Sequence, residues 1–267
     1  MSAAVEQRRA AVGTLLRQWR RRRGLSQLAL AVEAEVSTRH LSFVETGRSA
    51  PSREMVLRLA EHLDVPLRER NRLLLAAGYA PVYSQAPLDS PELRRVLDAV
   101  RRVLRAHEPY PAVAVDRRWN LVAGNAALPL LTEGVAGHLL RPPANALRLT
   151  LHPEGMAPRI ANLTEWRAHL LGRLRRHLGL TADAELTALH DELRGYPGGP
   201  AEPDAGPPRA GDVVVPLRLR HPDGELAFLS TVSTFGTPLD VTVEELSIES
   251  FFPADEATAA HLRAAAR

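Results

Sequence analysis

Several polar side chains with hydrogen-bond donors lie together at the start of one short predicted helix. Ser37 is placed to cap that helix, and Thr38, Arg39 and His40 fill its first turn. Donors in this arrangement suit the base edges of a DNA major groove, where a guanidinium pairs with O6 and N7 of one guanine for ~1–3 kcal/mol of discrimination. The first chemistry that the sequence indicates is therefore contact with nucleic acid through this helix.

The sequence lacks the motifs that carry common enzymatic chemistry. Gly-Xaa-Ser-Xaa-Gly, His-Glu-Xaa-Xaa-His, a phosphate-binding Walker loop and a dinucleotide-binding glycine motif are all absent from it. Ten histidines are present, but His152, His169 and His177 lack ligand spacing and acidic partners. We therefore predict that the protein is not an enzyme and has no catalytic residue, no cofactor and no metal site.

Apolar residues at helical spacing predict five short helices within the first 78 residues. Gly24 and Gly47 are placed to end two of them. The predicted helices are 7–23, a second after Ser26, a third after Ser37, a fourth after Pro51-Ser52 and a fifth after Pro66. This arrangement predicts a compact all-α domain over residues 1–80.

A different pattern follows the predicted linker at residues 81–89. A helix starts at Ser90-Pro91, and an apolar helix covers residues 163–178. The other predicted elements are strands at 113–116, 119–123 and 246–252, a hairpin over 213–235 that turns at Asp223-Gly224, and a last helix capped by Asp255. Residues 90–267 therefore predict an α+β domain.

Composition and charge fit a two-domain chain with one basic part. Residues 1–84 hold 14 arginines against 8 acidic residues, whereas residues 85–267 hold 20 against 23. A basic domain joined to a slightly acidic one is typical of a nucleic-acid-binding module attached to a domain with another role. The sequence shows no secretory signal, no apolar run of ~20 residues and no cysteine. We therefore expect a cytoplasmic protein without membrane insertion.

Short motifs at regular spacing run through the first predicted domain. They are Leu25-Ser26-Gln27, Val36-Ser37, Glu45-Thr46-Gly47 and Pro51-Ser52. In these residues the segment 8–78 resembles the xenobiotic-response-element, or Cro/repressor-like, helix-turn-helix family. The resemblance implies that the third helix enters the major groove of a double-stranded DNA operator. It also predicts a homodimer, because two-fold proteins meet two-fold operators with half-sites ~34 Å apart.

The resemblance implies roles for individual side chains. Base contacts fall to Thr38, Arg39, His40 and Phe43, and phosphate contacts fall to Gln27, Ser37 and Arg48. Arg39 is the main candidate for reading the base sequence. A solvated helix face is the alternative interpretation of each residue, and for Phe43 the alternative is partial burial in the core.

Two acidic residues need a separate interpretation. The family usually has glycine between its second and third helices, where a left-handed backbone helps the turn, but this chain has Glu35. A non-glycine residue there costs ~1 kcal/mol or signals a different turn. Glu45 lies near the expected DNA surface, and the resemblance implies that it bonds within the helical bundle instead.

A second set of motifs extends over nearly the whole chain. Its segments are 72–80 (RLLLAAGYA), 115–122 (VDRRWNLV) with Asn125, 149–155 (LTLHPEG), 162–166 (NLTEW) and 233–240 (STFGTPLD). They resemble the MmyB-like transcription regulators, in which a helix-turn-helix precedes a PAS-like ligand-binding domain. The resemblance implies an all-α five-helix domain, then an α+β PAS-like domain that senses a fatty-acid-like small molecule in an apolar cavity.

The candidate ligand contacts are Trp119, Asn125, Arg159, Leu163, Trp166, Leu170, Arg173 and Phe228. Arg159 and Arg173 flank the apolar helix and would anchor a carboxylate, although each is also explained as a surface arginine. The apolar candidates would look the same in a solid core, and Asn125 is also explained as the cap of the next helix. An alternative therefore stays open, in which residues 90–267 only dimerise the DNA reader or bind a protein partner.

Overall fold

The structure is a computed structural model that describes residues 3–181, 183–198 and 214–265. The chain divides into two compact units. The N-terminal unit comprises residues 1–87 together with 237–244, and the C-terminal unit comprises residues 88–236 and 245–267. No helix of the described residues combines the length and the apolar character that crossing a membrane requires.

Five helices form most of the N-terminal unit, as the sequence predicts. They are α1 (Ala3–Arg22), α2 (Gln27–Glu33), α3 (Thr38–Glu45), α4 (Arg53–His62) and α5 (Leu67–Ala77). The hydroxyls of Ser26, Ser37 and Ser52 each accept a hydrogen bond from the backbone N–H three residues further on. Each bond satisfies a donor that the start of a helix leaves without an intrahelical partner. The all-α class predicted for this unit is confirmed.

The C-terminal unit contains one antiparallel sheet with strand order β2-β1-β5-β4-β3. The strands are β1 (Ala112–Val115), β2 (Leu121–Gly124), β3 (Leu217–His221), β4 (Gly224–Thr234) and β5 (Ser247–Pro253). The remaining helices are α6 (Pro91–Ala106), α7 (Leu128–Thr132), α8 (Ala146–Leu151), α9 (Leu163–Thr181), α10 (Ala184–Arg194), α11 (Val241–Glu244), which lies in the N-terminal unit, and α12 (Glu256–Ala265). The predicted α+β class is confirmed.

Side chains of β1 alternate between two apolar layers. Val113 and Val115 pack in the larger core with residues of α8, α9 and α10. Ala112 and Ala114 pack in a second layer with residues of α6. Successive side chains of a strand point to opposite faces, so a strand covered on both faces is apolar at every position. The sequence Ala-Val-Ala-Val of β1 follows from this position in the sheet.

Two turns differ from their predicted positions. Trp119 adopts φ +67° in the turn after β1, so β2 begins at Leu121 rather than at residue 119. The β3–β4 turn consists of residues 222–223, one residue earlier than predicted, because His221 pairs with Gly224. The described part of β3 begins at Leu217, and the predicted start at residue 213 lies outside the described residues.

Asn125 has a position that the sequence does not indicate. It does not cap α7, whose N-cap residue is Ala127. Instead its Oδ1 accepts a hydrogen bond from the N–H of Ala112 at 3.1 Å. Its Nδ2 donates to the carbonyls of Leu104 and Tyr110 at 3.1 and 2.7 Å. The buried amide therefore satisfies three backbone groups, which matters because unpaired buried backbone groups are costly.

The segment 237–244, here called the crossover segment, joins β4 to β5 and belongs to the N-terminal unit. Asp240 accepts hydrogen bonds from the hydroxyl of Ser84 at 2.7 Å and from the N–H of Ala86 at 3.0 Å. Glu244 accepts one from the N–H of Leu67 at the start of α5, at 2.8 Å. The chain therefore runs from the sheet into the N-terminal unit and then returns to the sheet.

Candidate functional site

The candidate DNA-reading surface is the N-terminal half of α3. Leu41 and Val44 are fully buried and fix the apolar face of the helix. Thr38 and Arg39 are exposed, and His40 is half-buried. Three of the four residues predicted to contact bases, Thr38, Arg39 and His40, therefore lie at the accessible start of the helix, which is the part of a recognition helix that meets base edges.

Phe43 lies beside Arg39 of this surface and beside Arg48, which follows α3. Its ring centroid is 5.4 Å from the guanidinium carbon of Arg39 and 5.9 Å from that of Arg48. Cation–π contacts at such distances favour ordered side-chain positions. Phe43 is half-buried, so it both packs against the bundle and supports two of the predicted DNA contacts.

Glu45 is bonded within the bundle, as predicted. Arg20 Nε and Nη2 donate to its two carboxylate oxygens at 2.6 and 2.8 Å, and Gln27 Nε2 donates at 2.7 Å. Burial raises the pKa of Glu45, but the hydrogen bonds from Arg20 and Gln27 outweigh it, and the pKa lies below its ordinary value. The side-chain amide of Gln27, a predicted phosphate contact, is thus engaged with Glu45.

Two backbone features set the position of α3. Glu35 adopts φ +53°, so the turn between α2 and α3 keeps the left-handed residue for which the family uses glycine. Gly13 of α1 lies against the end of α3, where a Cβ at this position would stand only 2.3 Å from the carbonyl oxygen of Val44. Glycine is therefore required at residue 13, whereas Glu35 is tolerated under strain.

A partly open cavity of about 50 Å³ lies in the C-terminal unit. Elements of the sheet, α7, α8 and α9 form its walls. Its lining is mainly apolar, with polar atoms from Thr132, Thr150 and Glu249. The apolar lining residues include Val113, Trp119, Leu121, Leu128, Leu131, Leu147, Leu149, Met156, Trp166, Leu170, Leu217 and Phe251. Mostly apolar walls with a few polar groups are typical of small-molecule sites.

A charged group and an aromatic ring meet at one wall of this cavity. Arg173 of α9 donates from Nη1 to Glu249 of β5 at 2.9 Å, and its guanidinium carbon lies 4.5 Å from the ring centroid of Trp119. Trp119 and Glu249 both line the cavity and are both buried. A bulky residue at positive φ, such as Trp119, is strained, and such strain is often found at functional sites.

Trp166 contributes a second polar feature to the wall. Its side chain lines the cavity and is 2% exposed, yet its indole Nε1–H has no hydrogen-bond partner among the described residues. A buried donor without an acceptor costs about 1–3 kcal/mol. Trp166 therefore lines the cavity and also holds a buried donor that lacks an acceptor among the described residues.

Comparison with known proteins identifies the family. A model of the MmyB-like transcription regulator ligand binding domain matches residues 96–265. The chain belongs to the MmyB-like transcription regulators. A model described as a helix-turn-helix domain matches residues 11–73, so the chain is a DNA-binding transcription regulator with a domain of a ligand-binding family. No significant match to a curated protein was found.

Solved structures are similar to part of this MmyB-like regulator. The clp gene regulator ClgR from C. glutamicum is 30% identical, covering 27% of this chain and 88% of that protein, with a TM-score of 0.24. The restriction-modification controller protein C.AhdI from Aeromonas hydrophila is 34% identical, covering 23% of this chain and 94% of that protein, with a TM-score of 0.23.

The structure brings only some of the predicted ligand contacts to the cavity. Trp119, Trp166 and Leu170 line it. Phe228 is fully buried in the larger core, and Leu163 is partly buried against that core, but neither belongs to the lining.

The other predicted ligand contacts are engaged in bonds within the fold. Arg159 donates to the carbonyls of Leu130, Leu131 and Glu133 around the end of α7, and Asn125 holds the backbone groups described above. Arg173 does not line the cavity, but it contacts two residues that do, through its hydrogen bond to Glu249 and its cation–π contact with Trp119.

Sequence reasoning missed Glu249 as a site residue. It lies on β5 opposite Val113 of β1, among apolar strand neighbours, and its partner Arg173 is on a distant helix. An acidic residue in a predicted buried strand is the signal that would have found it, because buried charges are normally paired.

Proposed function

We propose that this regulator senses an apolar, fatty-acid-like small molecule in the cavity of its C-terminal unit, and that this unit is PAS-like. The observation that carries the proposal is an apolar cavity with a buried indole N–H that lacks an acceptor among the described residues. A fatty acid supplies both an apolar chain and an acceptor head group. The sheet order β2-β1-β5-β4-β3 supports the PAS-like assignment.

The size of the cavity sets a condition on binding. Ligand pockets commonly measure roughly 300–1,000 Å³, whereas this cavity measures about 50 Å³. A long acyl chain therefore requires wall side chains to move apart. A wall that differs between the free and the bound protein is what a sensor needs, because a ligand that binds two states equally shifts no equilibrium.

Two donors are available for the head group of such a ligand. One is the indole N–H of Trp166, and the other is the guanidinium of Arg173. Arg173 does not itself line the cavity, but a guanidinium has five N–H donors, so it can keep its bond to Glu249 and bind a ligand carboxylate once the wall side chains move apart. We propose that the carboxylate lies at this wall, beside Trp119.

The test is native mass spectrometry of the protein from bacterial cytoplasm, with lipid analysis of what it carries. We then titrate delipidated protein with dodecanoic acid and with dodecylamine as the matched cationic chain. The expected result is binding of the acid, weakened about tenfold by Trp166→Phe, which keeps the ring but removes the N–H. Binding of the amine without the acid would contradict a fatty-acid-like ligand.

We propose that the crossover segment transmits the ligand signal. It precedes β5 in the chain, and Glu249 and Phe251 of β5 line the cavity. Its Asp240 is bonded to Ser84 and Ala86. Asp240→Ala should leave dodecanoic acid binding and free-protein DNA affinity intact but abolish the effect of the acid on DNA affinity. Asp98→Ala, an exposed residue of α6, is the control and should retain the effect.

The DNA-reading residues remain part of this proposal. We propose that Thr38, Arg39, His40 and Phe43 face the major groove and that Gln27, Ser37 and Arg48 contact phosphates. We also propose a cytoplasmic, non-enzymatic homodimer on a two-fold operator. Analytical ultracentrifugation should show a dimer on operator DNA, and a monomer both free and bound would contradict it.

One observation favours the alternative function, in which the C-terminal unit dimerises or binds a protein. Leu229 of β4 and Phe252 of β5 are 36% and 42% exposed and are paired across the strands, so their side chains lie on one face. Exposed apolar clusters often mark protein contacts. Under this alternative Leu229→Ser breaks the association, whereas under ligand sensing it leaves dodecanoic acid binding unchanged.

A further inference from the structure

Three side chains with metal-ligating atoms meet at the β3–β4 turn. His221 ends β3, Asp223 lies in the turn, and His261 lies on α12. One ring nitrogen of each histidine and one carboxylate oxygen all lie within 4.8 Å of one another. The two imidazole rings are arranged edge to face, with centroids 4.6 Å apart. Folding brings His261 from the last helix to His221 and Asp223, so no short motif indicates the three residues together.

We propose that His221, Asp223 and His261 bind a divalent first-row transition metal ion, with Zn²⁺ as the probe. Asp223 Oδ2 lies 3.6 Å from Nδ1 of His221 and 3.8 Å from Nδ1 of His261. Nitrogen and oxygen ligands of a tetrahedral zinc ion, each ~2.0–2.2 Å from the metal, stand about 3.4 Å apart. Each imidazole therefore needs to approach the carboxylate by only a few tenths of an ångström, and the ligating atoms of the two imidazoles lie within 4.8 Å of each other. Two imidazoles and one carboxylate suit zinc, nickel or copper rather than Mg²⁺.

The tautomer of His221 is compatible with binding. The backbone N–H of Asp223 donates to Nδ1 of His221 at 3.3 Å, so this nitrogen carries a lone pair, the form that ligates metals. The contact is long for a hydrogen bond from N–H, and water can replace it at the exposed turn when a metal takes the lone pair. Binding thus exchanges a weak contact for a metal–nitrogen bond.

Packing of α12 on β4 holds the third ligand in place. The hydroxyl of Thr258, on α12, accepts a hydrogen bond from the N–H of Ala227 at 3.0 Å, and Leu262 beside His261 is buried. The side chains of His221 and His261 are 13% and 25% exposed, whereas that of Asp223 is 70% exposed. The imidazoles are therefore positioned by the fold, and the carboxylate side is open for an ion and its remaining water ligands.

A second cluster provides an internal comparison. His138, His152 and Glu154 also have ligating atoms within 4.8 Å of one another. The side chains of His138 and Glu154 are 51% and 66% exposed, and their closest approach is 4.0 Å. Binding a metal would have to order the exposed side chains of His138 and Glu154, which costs conformational entropy. The imidazoles of His221 and His261 have already lost most of that entropy on folding. We therefore assign the site to His221, Asp223 and His261.

The test is calorimetric titration of the full chain, free of any polyhistidine tag and dialysed against chelator, with Zn²⁺ and separately with Mg²⁺. We expect one equivalent of Zn²⁺ to bind and Mg²⁺ not to bind. Asp223→Asn and His261→Gln should each weaken Zn²⁺ binding by about tenfold or more. Asparagine is a common turn residue, so Asp223→Asn should keep the hairpin. His62→Gln, an exposed residue of α4, and His138→Gln should bind Zn²⁺ like the unmodified chain.

Thermal unfolding gives a second readout. A ligand that binds the folded state raises the melting temperature by mass action, so Zn²⁺ should stabilise the unmodified chain and not Asp223→Asn. The proposal is overturned if Zn²⁺ does not bind, if Asp223→Asn and His261→Gln both bind it normally, or if His138→Gln is the variant that loses it. Circular dichroism of each variant separates loss of the site from loss of the fold.

Discussion

Arg20 donates two hydrogen bonds to the two carboxylate oxygens of Glu45, which joins the end of α1 to the last residue of α3. The side chains are 10% and 1% exposed. A buried, bidentate pair of this kind fixes geometry, because neither charge is satisfied without the other. The orientation of α3 therefore depends on a contact that lies outside the candidate DNA-reading surface.

Glu45→Ala should destabilise the N-terminal unit by about 3–5 kcal/mol, because it leaves the Arg20 guanidinium buried without its partner. Urea unfolding followed by far-ultraviolet circular dichroism measures the change. Asp98→Ala removes the partner of Arg101 in an exposed pair and should cost at most about 0.5 kcal/mol. Equal effects of the two substitutions would contradict a structural role for the buried pair.

Glu35→Gly should stabilise the N-terminal unit by up to about 1 kcal/mol. Glu35 adopts φ +53°, where a side chain is strained and glycine is not, and the gain is reduced by the greater freedom of glycine in the unfolded chain. Glu33→Gly at the end of α2 is the matched control and should destabilise by about 0.5–1 kcal/mol. A loss of stability in both variants would show that the turn does not favour glycine.

Arg39→Ala should relax sequence preference, whereas Gln27→Ala should weaken binding to all duplexes alike. Affinities for a selected operator and for random duplex, at one salt concentration, distinguish these outcomes. Gln27 also donates to Glu45, so its loss can affect stability as well as DNA contact. The free energy of unfolding of each variant in urea is therefore first compared with that of the unmodified chain. Equal losses on specific and random DNA for both variants would contradict the division between base and phosphate contacts.

The C-terminal unit should lose stability as the pH falls below about 6.5. Burial lowers the pKa of His169 and of His177, so the folded unit binds fewer protons than the unfolded chain below that pH. Their contribution is complete above the unfolded pKa and declines as the pH falls towards the folded values. The free energy of unfolding is measured at about pH 7.5 and at about pH 5.5. It should fall less between these two pH values in the His169→Gln/His177→Gln double variant than in the control variant His62→Gln. An identical loss would contradict this origin.

Local signals predicted the fold better than they predicted the cavity. Ser26, Ser37 and Ser52 were identifiable as caps because a cap bonds an amide three residues away. The bond between Arg173 and Glu249 was not identifiable from the sequence, because it joins a helix to a distant strand. A cavity is a gap between side chains, and Leu174 in the solid core follows the same helical pattern as Leu170 at the gap.

The crossover segment and Asn125 were unpredictable for a related reason. Asp240 follows a Gly-Thr-Pro sequence that indicates a loop, and nothing nearby in the sequence indicates that its carboxylate bonds Ser84. Asn125 has the sequence position of a helix cap, yet its amide bonds Leu104 and Tyr110. Polar side chains that bond distant backbone groups are placed by tertiary structure, so their role appears only in the folded chain.

The most direct test of ligand sensing is the operator affinity of delipidated protein with and without saturating dodecanoic acid. The operator is first obtained by selection from random duplexes. The proposed function predicts a change in affinity of about tenfold or more, in either direction, that Trp166→Phe reduces at the same concentration of acid. An affinity that stays the same while the acid occupies the cavity would contradict the proposed function.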